Sequence, residues 1–385
     1  MTKVVVAIYT DPDYYPPTLN AILNLAGRFG EVVVVTRNNS QTDYPFPSNV
    51  RLVKSGKYIA VAEAEIKGVG YKLISFLKFV RKLYLSIIRG KTDLLILYDP
   101  FPLLAFALVR KFIPARILSW YHNHDMPELS LNRKYSLGWY AAAKEHETMK
   151  YIGYFSLPSS DRLRFYPNWQ RPLDYFFIPN YPSLKVYSFR PLRKGLKDNL
   201  KLIFQGAIGE GHALEELISL LGGEFNGFSL QLVLKGPVRE PYKEKLNRLA
   251  AEKGVSEKLT WIGIGPYAGV PVITSSCHIG IAIHKGTDNV SRTLGTASNK
   301  IYEYAACGLP VILYDDAQFR DCLKGYQWAY FTDGSIGGLS ETLQRVIQEI
   351  DESGELAFHD FRESLNFEKA FLPALDMVMK AGAGS

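Results

Sequence analysis

The chain has 385 residues, 47% of them hydrophobic and 22% charged, a balance that excludes a disordered or fibrous protein and leaves room for two domains. Its formal net charge is +7, and its three cysteines are too few for a disulfide framework, which points to a reducing compartment. Residues 1–10 run straight into strand-like sequence, so no secretory signal is expected.

In chain order, residues 4–9 form a Val/Ile-rich run that predicts the first strand. Pro16 and Pro17 permit a helix start but not a helix interior. Residues 20–29 predict a helix closed by Gly30, and 31–36 the next strand. Further strands are predicted at 94–98, 115–121 and 153–157. Near-continuous apolar strands separated by helices indicate a parallel sheet covered on both faces. Residues 178–199, with Pro179, Pro182 and Pro191, read as a linker. A second alternating block follows, with strands predicted at 202–205, 230–234, 259–262, 278–283 and 310–313. Helices are predicted at 213–221, 242–253 and 299–306, and the tail is helical in pattern through 343–350 and 367–379. The predicted class is α/β: two Rossmann-like parallel-sheet domains, over 1–178 and 201–355, facing a cleft. A linker over 179–200 joins them, and a helical segment over 356–385 follows.

The charge is unevenly placed. Residues 1–180 hold 23 basic and 14 acidic side chains, and the remainder 22 and 24. Residues 66–91 carry seven basic side chains (Lys67, Lys72, Lys78, Arg81, Lys82, Arg89 and Lys91) and no acidic one. Within them Leu73, Ile74, Leu77, Val80, Leu83, Tyr84 and Ile87 follow helical spacing. Such a helix suits an anionic membrane surface, with its basic stems snorkelling; it equally suits burial against a sheet with a solvated basic edge. Residues 103–113 form a second apolar-basic stretch. No window is long and apolar enough for a transmembrane helix. No nucleic-acid module accompanies the charge, so nucleic acid is not expected as a partner.

The sharpest segment runs from Asn299 through Lys300, Glu303 and Cys307-Gly308-Leu309-Pro310 to Ile312. It reads as a helix, a glycine cap and a buried strand. The helix N-terminus offers free N–H groups for a phosphate. Glu303, one turn in, offers a carboxylate for two ribose hydroxyls. Spacing alone leaves a second reading open, a glutamate that stabilises the positive end of the helix dipole.

This segment resembles the signature of glycosyltransferases with the GT-B fold, in particular glycosyltransferase family 4 and its relatives. Leu202-Ile203-Phe204-Gln205-Gly206, Leu232-Val233-Leu234-Lys235-Gly236 and Ile178-Pro179-Asn180 extend the resemblance over most of the chain. It implies that Glu303 binds the nucleotide ribose of a sugar donor. It also implies that the last helix returns to the N-terminal domain. Two departures stand out. Where the family often has a first glutamate, this chain has Gly295. Where the family commonly has Gly-Arg and Lys-Gly, this chain has Gly206-Ala207-Ile208-Gly209-Glu210-Gly211-His212, with Ala207 at the arginine position and His212 near the lysine position. Candidates to meet the diphosphate charge are the glycine-rich backbone, Arg292, Lys300 and Lys235.

A second constellation runs from Ser119 to Glu128 and contains His122, Asn123, His124 and Asp125. Two histidines at i and i+2 beside a carboxylate suit proton handling, sugar hydroxyl contacts or metal binding; they also suit the ordering of a loop. A metal would need a further ligand such as Glu128, and no Asp-x-Asp motif is placed for one, so neither metal nor cofactor is expected. The resemblance places His124-Asp125 near the sugar, with His122 as second choice. Residues 283–290, with His284, follow another predicted strand and are candidates for donor contacts. Residues 10–18 lack a dinucleotide fingerprint and are better placed to touch an acceptor.

The function expected is transfer of a sugar from a nucleotide-sugar donor to a glycan or lipid-linked acceptor, with the retaining outcome implied by the resemblance. The setting expected is polysaccharide biosynthesis at the cell envelope. The protein would be cytoplasmic and peripheral on the inner face of the membrane. Two alternatives stay open, a nucleotide-sugar epimerase of the same fold and a non-catalytic subunit of a glycan-assembly complex.

Overall fold

The computed structural model describes residues 3–40, 44–126, 129, 132–166, 175–189, 198–286 and 291–383. The chain divides into two compact units, Met1–Asn180 with Phe367–Ser385, and Tyr181–Asn366.

The N-terminal unit is built on strands β1 (Lys3–Ile8), β2 (Glu31–Arg37), β3 (Val50–Ser55), β4 (Leu94–Tyr98), β5 (Leu118–His122), β6 (Tyr154–Leu157) and β7 (Tyr175–Phe177). They pair in parallel in the order β3-β2-β1-β4-β5-β6-β7. The helices between them are α1 (Pro16–Ala26), α2 (Val61–Ile66), α3 (Val69–Ile88), α4 (Pro100–Val109), α5 (Leu137–Ala143) and α6 (Glu145–Thr148). All six residues of β1 are buried. Alternate ones feed different cores: Val5 and Ala7 pack with α3 and α4 on one face, and Val4, Val6 and Ile8 pack with α1 and the last helix on the other. This is the two-residue period of a strand covered on both sides.

The C-terminal unit repeats the plan. Its strands are β8 (Asn199–Gln205), β9 (Glu224–Phe225), β10 (Phe228–Lys235), β11 (Leu259–Trp261), β12 (Ile279–Ala282), β13 (Val311–Tyr314) and β14 (Ala329–Thr332). The order is β11-β10-β8-β12-β13-β14, with β9 pairing antiparallel to β10. Its helices are α7 (Leu214–Leu220), α8 (Glu240–Glu252), α9 (Val270–Thr274), α10 (Asn299–Ala306), α11 (Ala317–Leu323), α12 (Ile336–Gln348) and α13 (Ile350–Glu363). The last helix, α14 (Phe367–Ala383), joins the N-terminal unit, where Phe371 stacks on Trp120 at 5.6 Å. Each sheet reverses its strand order at one place, between β1 and β4 and between β8 and β12. Ligands of open parallel sheets bind beyond the carboxyl ends of the strands at such a reversal.

Several boundaries differ from the sequence expectation. The returning segment starts at Phe367, not 356, because α13 packs on α10 in the C-terminal unit. Part of the expected linker belongs to that unit as well: Tyr187 is fully buried, edge-on to Phe361. Residues 190–197, including Pro191, lie outside the described residues. Strands β3, β7, β14 and the two-residue β9 have no counterpart in the sequence expectation. In α3 the buried stripe is Phe76, Phe79, Val80, Leu83 and Ile87, whereas Leu73, Ile74 and Leu77 are exposed.

Candidate functional site

Beyond the ends of the first sheet, two strands and the loops after them bring His122, His124 and Asp125 around a residue the sequence reading passed over. Asp99 directly follows β4 and takes a backbone of positive φ, 67°, with ψ at 168°. That conformation is strained for a residue other than glycine and gathers at functional sites. Its carboxylate grips the next loop twice: Oδ1 accepts from the His124 backbone N–H at 2.8 Å, and Oδ2 lies 3.2 Å from His124 Nδ1. A carboxylate there keeps the proton on Nδ1 and leaves Nε2 as an acceptor. Nε2 faces the Thr18 hydroxyl at 3.3 Å. The ring of His124 stacks on Tyr98 at 4.9 Å, and buried Arg162 donates to the His124 carbonyl. Asp99 and Arg162 carried no sequence motif. Only the positive φ of Asp99 and the burial of an arginine reveal them.

His122 is not placed for the proton handling expected of it. It is buried, its Nδ1 lies 2.7 Å from Ser156 Oγ, and Trp120 Nε1 donates to the same hydroxyl at 2.8 Å. Burial, with the His124 ring and Arg162 adding to it, holds His122 far below the usual histidine range, so it is a neutral core residue. Asp125 faces the other way. It lines a cavity of about 500 Å³ that also touches Asp99, Tyr15, Tyr9, Phe101, Arg37 and Lys72. Its carboxyl is pushed up by the protein packed around it and by the Asp99 charge. Of this cluster Asp99 and Asp125 line the cavity, while His124 is buried behind them. Glu128 lies outside the described residues, and among the described residues no group of three metal-ligating side chains occurs.

At the ends of the second sheet, Gly206 follows β8 at φ +119° and donates its N–H to the Lys235 carbonyl at 2.9 Å. Gly236 follows β10 at φ +138°, and a Cβ there would come within 2.0 Å of the Gly206 carbonyl oxygen. Only glycine lets the two turns meet. Lys300, on the first turn of α10, reaches over this junction. Its Nζ lies 4.2 Å from the Phe204 ring centroid and 3.5 Å from where a Gly206 Cβ would stand. Burial pulls its ammonium down to about 8, with Glu303 opposing. Lys235 is also buried and lowered for the same reason.

Glu303 is buried, and both its oxygens are engaged: Oε1 accepts from Tyr267 at 2.8 Å and Oε2 from Gln205 Nε2 at 2.5 Å. Gln205 Oε1 in turn accepts from Thr274. Burial raises the Glu303 carboxyl against these donors and the two lysines. Each carboxylate oxygen retains a further lone pair for a ligand hydroxyl. Asn299 Oδ1 is buried with no hydrogen-bond partner among the described residues.

The remaining expected residues divide. His212 and His284 come together, with their Nδ1 atoms 3.5 Å apart. His284 Nε2 lies 2.8 Å from Ser291 Oγ, and His212 Nδ1 2.8 Å from the Ile283 carbonyl. Burial, then the Lys300 charge, lowers His212 to about 4. It therefore adds no cation at the position where the resemblance expects a lysine. Gly211 is left-handed at φ +85° and its carbonyl accepts from Lys285 N–H, whereas Gly209 stands in open space. Arg292 is exposed. Residues 287–290 of the expected donor loop lie outside the described residues. Gly295 packs so tightly that a Cβ would sit 2.9 Å from Cys322 Sγ. No acidic side chain fits there without moving that neighbour.

No protein-family model matches this chain, and a search of curated proteins finds no match. Solved structures do share its fold. Sucrose-phosphate synthase from Thermosynechococcus elongatus superposes with a TM-score of 0.70 at 13% identity, over 100% of both chains. Anabaena Alr3699/HepE, crystallised with UDP and glucose, gives 0.68 at 13% identity, again over 100% of both. WaaG, a glycosyltransferase involved in lipopolysaccharide biosynthesis, gives 0.64 at 12% identity over 97% of this chain and 99% of its own. At these identities the likeness is one of fold, and the fold is GT-B: two Rossmann-like units of parallel sheet and helix in series.

Proposed function

We propose that the protein is a glycosyltransferase that takes a sugar from a nucleotide-sugar donor and passes it to a glycan acceptor. One observation carries the reading. Beyond the reversal of the second sheet, a glycine-to-glycine backbone junction, the buried Lys235, the half-buried Lys300 and a buried glutamate converge. Glycine turns let a diphosphate approach backbone N–H groups. Lys300 and Lys235 supply positive charge in a low-dielectric setting, where it acts most strongly. Lys300 does the work of the arginine that Ala207 replaces. Glu303 and the unpartnered Asn299 Oδ1 accept hydroxyl protons of the ribose or sugar.

The test is a thermal-shift and calorimetric screen of UDP, UDP-glucose and other nucleotide sugars on the whole chain. A stabilising shift with at least one is expected. No shift with any overturns the reading. Turnover of donor without acceptor to an epimeric sugar would favour the epimerase alternative. Binding without transfer to any glycan would favour a non-catalytic subunit.

The acceptor belongs to the N-terminal unit, with Asp125 and the Asp99-held His124 beside its reacting hydroxyl. A retained anomeric configuration is expected, read by NMR of the product. A product of inverted configuration, lost with Asp125→Asn, would instead make Asp125 the general base.

A membrane-linked acceptor has its own support. Ile66, Val69, Leu73, Ile74 and Leu77 are 47–83% exposed along one basic segment, and Leu108 and Phe112 are exposed on the neighbouring α4 and the turn after it. No helix among the described residues is long and apolar enough to cross a membrane, so contact would be at the surface. Sedimentation with anionic vesicles checks this. Leu73→Ser with Ile74→Ser and Leu77→Ser should reduce binding, and unchanged binding removes the helix from the reading.

A further inference from the structure

The cavity in the N-terminal unit has two ends of opposite charge, and the expected chemistry uses only one. Asp99 and Asp125 form the acidic end. At the other end stand Arg37, the last residue of β2, and Lys72, in the first turn of α3. Arg37 Nε is buried with no hydrogen-bond partner among the described residues, and no carboxylate among them pairs with its guanidinium. Its Cζ lies 5.4 Å from the Tyr9 ring centroid. A ring face attracts the charge but takes none of the in-plane N–H donors. Lys72 is held by the Glu65 carbonyl at 2.7 Å and likewise has no acidic partner among the described residues. The Glu65 side chain is exposed at the rim. Between the two ends Tyr9 stacks on Phe101 at 4.7 Å, an aromatic wall suited to the apolar face of a sugar.

We propose that this pocket binds an acceptor saccharide that carries an anionic group, a carboxylate or a phosphate, on Arg37 and Lys72. An arginine with unmet donors is the group that takes up a carboxylate or phosphate bidentately. Strand order sets the spacing. β2 and β4 flank β1, so Arg37 stands about 10 Å from Asp99 across two strand spacings. The anion therefore sits away from the reacting hydroxyl, on the far side of the ring or on the next sugar. This inference rests on the acceptor reading above and names the class of molecule.

Binding is measured on the whole chain without donor, by calorimetry and saturation-transfer NMR. The probes are methyl glucoside, methyl glucuronide and glucose 6-phosphate. At least one anionic sugar should bind about 10-fold tighter than the neutral one. Arg37→Met should erase that preference, Lys72→Met should reduce it, and Arg37→Lys should keep part of it. The carboxylate and phosphate arms show which anion the site prefers. Equal affinity for all three probes, no binding of any, or a preference that survives Arg37→Met overturns the proposal. These results are independent of nucleotide binding. A chain that binds UDP-glucose but shows no anionic preference loses this inference and keeps the donor site. One that binds an anionic sugar through Arg37 but no nucleotide keeps the pocket and loses the transferase reading.

Discussion

The two units share a strand order and differ in what stands one residue past each strand. After the central strand comes bulky Tyr9 in one and Gly206 in the other. At the reversal partner comes Asp99 in one, and Ile283, followed by His284, in the other. The first choice fills the reversal with aromatic wall and carboxylate and leaves a cavity beside it. The second leaves bare backbone and lets Lys300 reach over it. The same scaffold therefore presents two carboxylates beside a cavity in one unit and lysines around bare backbone in the other, which the proposed function reads as sites for hydroxyl and for phosphate. The comparison also corrects an inference from charge totals. The C-terminal half is slightly acidic, which by itself disfavours a diphosphate. Yet two lysines held at low dielectric outweigh many solvated ones spread along α3.

The comparison breaks first at Asp99. Asn has the shape of Asp and keeps an oxygen to accept from the His124 N–H, so Asp99→Asn should fold, with a melting temperature near that of the parent. Loss of the carboxylate frees the His124 tautomer and should lower kcat by about 10²-fold or more. Donor affinity, read by calorimetry, should not move. A loss of donor affinity instead would mean the two sites are not chemically separate. Next comes Lys300→Met, for which UDP-glucose affinity should fall roughly 10- to 100-fold, the worth of a charged hydrogen bond. Acceptor-analogue binding should be untouched.

A pH titration sharpens the same point without mutation. Lys300 sits at about 8 when folded, below its unfolded value, so its charge is lost as pH rises through that range. Donor affinity should fall by up to about 10-fold per pH unit above pH 8, and Lys300→Arg should flatten the profile. The sign for stability is opposite. Between about 8 and the ordinary lysine range the unfolded chain binds the extra proton, so this group makes folding more favourable as pH rises. A flat affinity profile in the parent would remove Lys300 from the phosphate site.

Most of the architecture was legible because central strands buried on both faces read as continuous apolar runs, as at residues 4–9 and 94–98. The strands missed are those outside the apolar centre. Only one of the six residues of β3 is buried, β7 has three residues and none buried, and β14 alternates. Such strands lack the run that marks a central one. In α3 the helix was legible but its face was not, since apolar residues lie on more than one side and only the packed sheet selects among them. At the sites, Lys300, Glu303, His124 and Asp125 stood in recognisable segments. Asp99 and Arg162 did not, because their roles come from a backbone angle and from burial between elements distant in sequence. His122 was indistinguishable from His124 in sequence. His122 is the last residue of β5, a strand buried on both faces, whereas His124 stands past its end beside Asp99.

The smallest expected effect separates the two sites most finely, because it concerns a residue that looks cationic and is not. His212 stands where the resemblance expects a lysine, but its folded value of about 4 leaves it neutral near pH 7. His212→Asn should then change UDP-glucose affinity by less than about 3-fold at pH 7. Stability in urea should drop by about 1 kcal/mol, from the lost bond to the Ile283 carbonyl. The pH dependence of that stability gives the second readout. Since the folded value lies below the unfolded one, the unfolded chain takes up the proton first as pH falls from about 6.5 toward 4. The parent therefore loses stability over that window through this residue, and the variant should lose less. If His212→Asn instead lowered donor affinity about 10-fold in a salt-sensitive way, a histidine would carry phosphate charge. The contrast between a neutral imidazole and the charged Lys300 and Lys235 would then fail.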